Sequence, residues 1–346
     1  MTKRILYIGN NLTNPTFTAT YISFFSEALK EEGYEVKTAS GKDNKILRLT
    51  DMLNLIWHNR NQTDLVLIDT YGAQNFYYAY STAKLCYRLD LPYIPILHGG
   101  NLPERLKDSK DLSAELFGKA FVNIAPSHFL HDAFKAEGFD NVQIIPNSIV
   151  LRNYPFKERQ RFDPRLLWVR RFQERYNPLM ALKVYEKLYQ KYPGARLCMV
   201  GPEKDGSLSR CKKYAKKNNL PVYFPGKMKK EAWSSLSVDY DFFINTTDVD
   251  NTPISVIEAM GLGLPVVSTN VGGMPNLIND PHDGVLVPQN DETAMTQALE
   301  ELLENQEKTN AIALAARRKV EEFDWEKVKE QWNEVLSSVP SHTSLQ

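Results

Sequence analysis

Residues 241–268 read DFFINTTDVDNTPISVIEAMGLGLPVVS. Asp241–Ile244 and Pro265–Ser268 are short, largely apolar runs, and Pro253–Gly261 between them carries apolar residues at helical spacing. That order is strand, helix, strand, and such short apolar strands suit a parallel sheet buried on both faces. Thr252 ahead of Pro253 is expected to cap the helix. Its hydroxyl can accept from first-turn amides, and proline suits the first helical position.

The same alternation runs through the chain. Arg4–Ile8, Glu35–Ala39, Leu65–Asp69, Tyr93–Leu97, Phe121–Ala125 and Val142–Ile145 read as a first series of strands. Helices are expected at Phe17–Glu32, stopped by Gly33, at Gln74–Leu89, and at Ser127–Glu137 with Ser127 as its cap. After the charge-rich stretch Tyr154–Asp163, strands recur at Leu166–Val169, Arg196–Val200, Val222–Phe224, Asp241–Ile244, Pro265–Ser268 and Val285–Val287. Pro178–Tyr192, Ser207–Lys217, Glu292–Glu304 and Trp325–Ser337 read as further helices. The expected class is α/β, with doubly wound domains at 1–155 and 164–322, a helix at 323–337, and a disordered tail at 338–346. Ligands of such folds bind at the carboxyl ends of strands, so site residues belong on the loops just after them.

Composition narrows the function. The chain has 346 residues with 42% hydrophobic and 24% charged, which excludes a disordered or fibrous protein. Its 42 basic and 42 acidic residues cancel, so net charge gives nucleic acid no attraction. Cys86, Cys198 and Cys211, with no C-x-x-C pair, build neither a disulfide framework nor a zinc site. The amino terminus has no signal-peptide core and no apolar run approaches membrane-helix length, so a cytoplasmic chain is expected.

Three post-strand loops carry candidate chemistry. Gly9-Asn10-Asn11-Leu12-Thr13-Asn14 lacks the G-x-G-x-x-G spacing, which argues against a dehydrogenase, yet it can admit a ligand near the backbone or be a simple turn. His98-Gly99-Gly100 follows an apolar strand; its imidazole can donate to a phosphate or a sugar hydroxyl, or serve structure alone. In the third loop Asp250 precedes the helix, and Glu258 lies on it among Ile254, Val256, Ile257, Ala259 and Met260. A carboxylate in apolar company must be satisfied, by a structural network or by a ligand diol. Two acids flanking a helix start also frame an anion site at its positive end.

Residues 253–275, PISVIEAMGLGLPVVSTNVGGMP, resemble the donor-binding segment of glycosyltransferase family 4. Ala125-Pro126-Ser127, Ile145-Pro146-Asn147, Val200-Gly201-Pro202 and the run from Asp283-Gly284 to Pro288 agree in order. The resemblance implies a GT-B fold, two Rossmann-like domains facing each other across a cleft, with the last helix packing back toward the first. It also implies a retaining transfer of a hexosyl unit from a nucleotide diphosphate sugar, UDP or GDP type, without a metal or other cofactor. The acceptor is then a glycan or glycolipid hydroxyl, in cell-surface polysaccharide synthesis.

By the same resemblance Glu258 holds the ribose hydroxyls, Asp250 takes the first acid position of the family's E-x(7)-E motif, and His98 stands near the transferred sugar. Thr252 and Ile254 lie against the nucleotide, and Asn147, Gly272 and Gly273 line the donor cleft with Gly9, Asn10, Asn11 and Gly99. The chain departs from the pattern twice. Asp250 is one methylene shorter than the usual glutamate, and Tyr176 stands where the family has a phosphate-binding lysine. Arg170, Arg171 and Arg175 are the cations at hand to replace it, with Arg171 in the family's arginine place. These departures keep open a catalytically silent nucleotide-sugar-binding protein, and the fold also admits a nucleotide-sugar epimerase. Asp248-x-Asp250 has the bare spacing of a metal pair. Nine basic residues against two acids between Glu203 and Lys230 form either a solvated face or a weak peripheral contact with the inner face of a membrane.

Overall fold

Parallel strands cannot be joined by tight turns, so each apolar run here returns through a helical crossover. The structure is a computed structural model that describes residues 2–11 and 21–340. Leu12–Asn14 of the first loop, Phe17–Thr20 of the expected first helix, and residues 341–346 of the tail lie outside the described residues. Two compact units result: Met1–Pro146 with Lys329–Gln346, and Asn147–Val328.

In the first unit β1 (Arg4–Ile8), β2 (Glu35–Ala39), β3 (Leu65–Thr70), β4 (Tyr93–Leu97), β5 (Asn123–Ala125) and β6 (Val142–Ile144) lie in the order β2-β1-β3-β4-β5-β6. The second holds β7 (Arg165–Val169), β8 (Arg196–Val200), β9 (Val222–Gly226), β10 (Phe242–Asn245), β11 (Val266–Thr269) and β12 (Val285–Val287), in the order β12-β11-β10-β7-β8-β9. Both sheets are parallel throughout. Strand order reverses between β1 and β3 in one sheet and between β7 and β10 in the other. Crossovers leave to opposite faces at those points, which opens a crevice at the strands' carboxyl ends.

Three details differ from the sequence reading. Ile149, Leu151 and Tyr154 pack into the core of the second unit, so the division falls at Pro146–Asn147, ahead of the boundary at 155. The helix after β10 spans Ile254–Gly261 and has Pro253 as its N-cap, with no side-chain cap. Pro253 is itself extended, at ψ 119°, so the first turn begins one residue late for Thr252 to cap it. Helices Lys45–Asn59 and Gln306–Val320 form where no helix was singled out. Within the first unit Trp332, on the last helix Trp325–Ser338, packs on Phe25, ring centroids 4.5 Å apart. All three cysteines are free and buried, and burial raises their thiols, Cys198 to about 11.

One buried charge ties the second unit together. Arg159, 6% exposed, donates to the carbonyls of Tyr240 (2.9 Å) and Gly263 (2.7 Å), and its Nε lies 3.4 Å from Asp241. Asp241 in turn accepts from the Asp163 amide and Arg165. Removing Arg159 leaves Asp241 to Arg165 and strips the Tyr240 and Gly263 carbonyls of a charged donor. Arg159→Met is expected to cost this unit about 1–3 kcal/mol for each carbonyl left unsatisfied, read by chemical denaturation; a total loss below about 1 kcal/mol would show the guanidinium to be idle.

Candidate functional site

Each reversal of strand order holds a buried carboxylate. In the first unit it is Asp69, at the end of β3, a residue that the sequence reading placed in a strand and gave no role. Its Oδ1 accepts from the Tyr7 hydroxyl at 2.8 Å and lies 2.7 Å from His98 Nε2, with both side chains of the latter pair under a tenth exposed. Burial and the nearby Asp69 charge push the Tyr7 hydroxyl well above its usual range, so it is a donor at every working pH. The His98 ring stacks on Tyr71 with centroids 5.2 Å apart and meets Tyr21 edge-on. Held in this way, the imidazole commits Nε2 to the carboxylate.

The surrounding loop residues have structural work. A Cβ on Gly9 would come within 2.5 Å of Asp69 Oδ2, so the turn after β1 needs glycine to let the acid approach. Gly99 is similarly crowded by the Gly72 amide. Asn10 accepts from Arg48, and Asn11 bonds Thr38 and Ser23 across to β2 and the first helix.

In the second unit Glu258 is 3% exposed on the helix after β10. Its Oε1 accepts from the Tyr154 hydroxyl at 2.6 Å and from Lys230 Nζ at 2.7 Å. Burial and Glu258 raise the Tyr154 hydroxyl far above its ordinary range. Lys230 is 41% exposed, so the carboxylate reaches solvent through its partner rather than being sealed in the core. Neither partner was singled out from sequence: Tyr154 read as the start of a linker and Lys230 as one of a basic run.

Beyond β7, Arg170 pairs with Asp250, and its guanidinium lies 4.8 Å from the centroid of the Tyr176 ring, with Arg175 on the same ring at 5.7 Å. Burial lowers Arg170, and Tyr176, Arg175, Arg171 and Glu258 all lie within its electrostatic range. The Nε atoms of Arg170 and Arg175 and the Ser255 hydroxyl are buried with no protein acceptor or donor. Arg171 is exposed at the edge of this group. Asp250 Oδ1 accepts from the Asn251 amide, and the Asp250 carbonyl accepts from Gly273. Gly272 adopts φ +53°, and a side chain there would strike the Asp250 carbonyl. The turn after β11 is thereby pressed onto the acid loop.

Asn147 donates to the Thr252 carbonyl at 3.0 Å, and Ile254 packs on the core at the helix start. Asp248 and Asp250 do not converge as a metal pair would. Asp248 faces the amides of Asn177 and Gln289, while Asp250 turns to Arg170.

Residues 153–319 match the family described as glycosyl transferases group 1. A sulfoquinovosyl transferase of Arabidopsis thaliana is 29% identical over 151 residues, covering 42% of this chain and 28% of that protein. The chain thus aligns with little more than a quarter of that relative's length. Sucrose-phosphate synthase from Thermosynechococcus elongatus superposes with a TM-score of 0.81 at 15% identity, over 97% of this chain and 98% of that one. Anabaena HepE in complex with UDP-glucose gives 0.77 at 17% identity, over 97% and 99%. At these identities the likeness shows the fold, which is GT-B with two Rossmann-like domains.

Asp69→Ala would leave the Tyr7 hydroxyl and the His98 ring buried without an acceptor. The expected cost is about 1–3 kcal/mol for each orphaned group. Asp69→Asn, which keeps one acceptor, should cost less while shifting the His98 ring-nitrogen resonances in NMR. Unchanged resonances would mean that Asp69 does not orient the ring.

Proposed function

We propose that this chain, whose residues 153–319 belong to the glycosyl transferases group 1 family, is a retaining hexosyltransferase using a nucleotide diphosphate sugar. The donor is of UDP or GDP type and the acceptor a glycan or glycolipid hydroxyl, in cell-surface polysaccharide synthesis at the cytoplasmic face of a membrane. The observation that carries this reading is the set of buried, unsatisfied donors on Arg170, Arg175 and Ser255, with the Glu258 carboxylate inside the electrostatic range of Arg170. Buried N–H and O–H groups demand acceptors, and an oxyanion such as a diphosphate offers several.

Glu258 is assigned to the ribose diol, displacing or sharing the Lys230 ammonium. Arg170 and Arg175 are assigned to the diphosphate, Arg171 to its outer oxygens, and the first-turn amides of Ile254 and Ser255 add the helix's positive end. A departing nucleoside diphosphate carries developing negative charge, so fixed cations at its oxygens lower the barrier without any protein nucleophile. Asp250 and His98 are assigned to the transferred sugar. No cofactor beyond the donor enters this scheme. A second reading, a silent nucleotide-sugar binder, draws support from the Arg170–Asp250 pair, which occupies the acid otherwise aimed at the sugar.

Calorimetry with UDP-glucose and GDP-mannose, followed by NMR of products, tests these assignments. Glu258→Gln preserves volume and an acceptor for Tyr154, yet loses the charge. Weakening two charge-assisted bonds to a diol should lower donor affinity roughly a hundredfold or more. Unchanged affinity would remove Glu258 from the ribose. Arg170→Ala should weaken nucleoside diphosphate binding more than nucleoside binding. Tight donor binding with neither transfer nor hydrolysis would select the silent binder.

A further inference from the structure

On the first unit the helices Lys45–Asn59 and Phe76–Arg88 pack side by side. Among the described residues, nine large apolar side chains stay exposed, and five of them lie on these two helices. Ile46 is 75% exposed, Leu47 58%, Trp57 48%, Tyr77 51% and Tyr87 52%. Ile46, Leu53, Trp57 and Arg60 recur at helical spacing along one stripe, and Tyr77, Tyr80, Lys84 and Arg88 along the other. Between the stripes runs a groove of ≈ 390 Å³ lined by Leu53, Trp57, Tyr80, Lys84, Leu85 and Arg88.

Basic residues outnumber acids here: Arg60, Arg88 and Lys119 stand against Asp51, while Lys84 pairs with Glu115. Helix Phe76–Arg88 contains Lys84 and Arg88 and no acid. The Arg60 guanidinium lies 4.4 Å over the Trp57 ring, and the Lys119 ammonium 3.8 Å over Tyr87. Cations therefore stand level with the exposed aromatic faces. Glu115 is held below the usual carboxylate range by the Tyr80 hydroxyl and pairs with Lys84. The basic helix Ser207–Lys217 contrasts with this face. Among the described residues it sets no large apolar side chain in solvent.

We propose that this two-helix face docks on an anionic phospholipid bilayer, with Ile46, Trp57 and Tyr77 entering the interface and Arg60 and Arg88 meeting lipid phosphates. Amphipathic aromatic rings favour the headgroup level, apolar side chains the region beneath, and basic heads the phosphates, which is the order found here. Charge complementarity selects an anionic surface over a neutral one, since each basic residue near such a surface strengthens binding about fivefold.

The test is co-sedimentation of the full chain with vesicles of phosphatidylglycerol and phosphatidylcholine, against pure phosphatidylcholine. Binding to the first alone, weakened by high salt, is expected. Arg60→Glu with Arg88→Glu should lower partitioning roughly a hundredfold or more, and Trp57→Ser should lower it separately. Lys84 is left in place because it pairs with Glu115. Circular dichroism confirms that each variant folds. Equal binding to both vesicles, variants that bind as the parent does, or loss only on reversing Lys212 and Lys213 would each overturn the proposal. So would self-association that Trp57→Ser abolishes, or retention of a soluble acidic polysaccharide, without vesicle binding. Donor affinity by calorimetry should be the same in parent and variants, so the donor reading and this one fail independently.

Discussion

A carboxylate taken out of water costs several kcal/mol unless donors meet it, and both units place one at the point where their strand order reverses. The two solutions are alike. Asp69 Oδ1 receives a tyrosine hydroxyl and a histidine ring nitrogen; Glu258 Oε1 receives a tyrosine hydroxyl and a lysine ammonium. In each case the tyrosine is a fixed donor, because burial beside an acid makes its ionisation harder still. The second partner is the one that can change. A ring or an ammonium can shift its proton or its position when a ligand brings a new donor or acceptor, whereas the tyrosine holds the acid in place.

Tyr176, where the family pattern has lysine, and Arg170, which by the same resemblance stands in the family's glycine place, belong together physically. A lysine at 176 would add a point charge to a loop that already holds Arg170 and Arg175. Tyrosine there instead offers a π face on which both guanidiniums rest, at 4.8 and 5.7 Å. The ring keeps two like charges near each other, and the Nε–H of each has no protein acceptor. Asp250 then neutralises one of them, and its shorter side chain suits a partner that emerges from the adjacent strand end. Loss of a cation at one position and gain of another thus leave the local charge close to what the family pattern supplies.

How much of this could be read from the residues depends on how strongly each announces itself. The strands were legible to within two residues because buried parallel strands are uninterrupted apolar runs. Glu258 and Asp250 were legible because acids beside a helix start stand out against such runs. Tyr7 and Asp69 were not, since RILYI and LVLIDT read as core throughout and no spacing marks the hydroxyl or the acid within them. Lys230 was hidden among like residues, and only three dimensions distinguish the lysine that meets Glu258 from those that meet solvent. Helix Gln306–Val320 escaped because its buried stripe, Thr309, Ile312, Ala313, Ala316 and Val320, is mostly small, which flattens the periodic signal.

Helix Lys45–Asn59 was missed for the opposite reason, and that reason bears on what the first unit does. Of its fifteen residues only Arg48, Met52 and Ile56 are buried, while Ile46, Leu47 and Trp57 face outward. Apolar residues on two faces blur the amphipathic pattern by which a surface helix is recognised. Folding alone does not account for the outer set, because removing exposed apolar side chains costs a fold little. Leaving several of them together on neighbouring helices carries an aggregation liability that isolated ones do not. Arg60, Arg88 and Lys119 among them limit self-association through like-charge repulsion and leave the face attractive to an oppositely charged surface. The pattern that obscures the helix in sequence is the one that suits it to an interface between water and lipid.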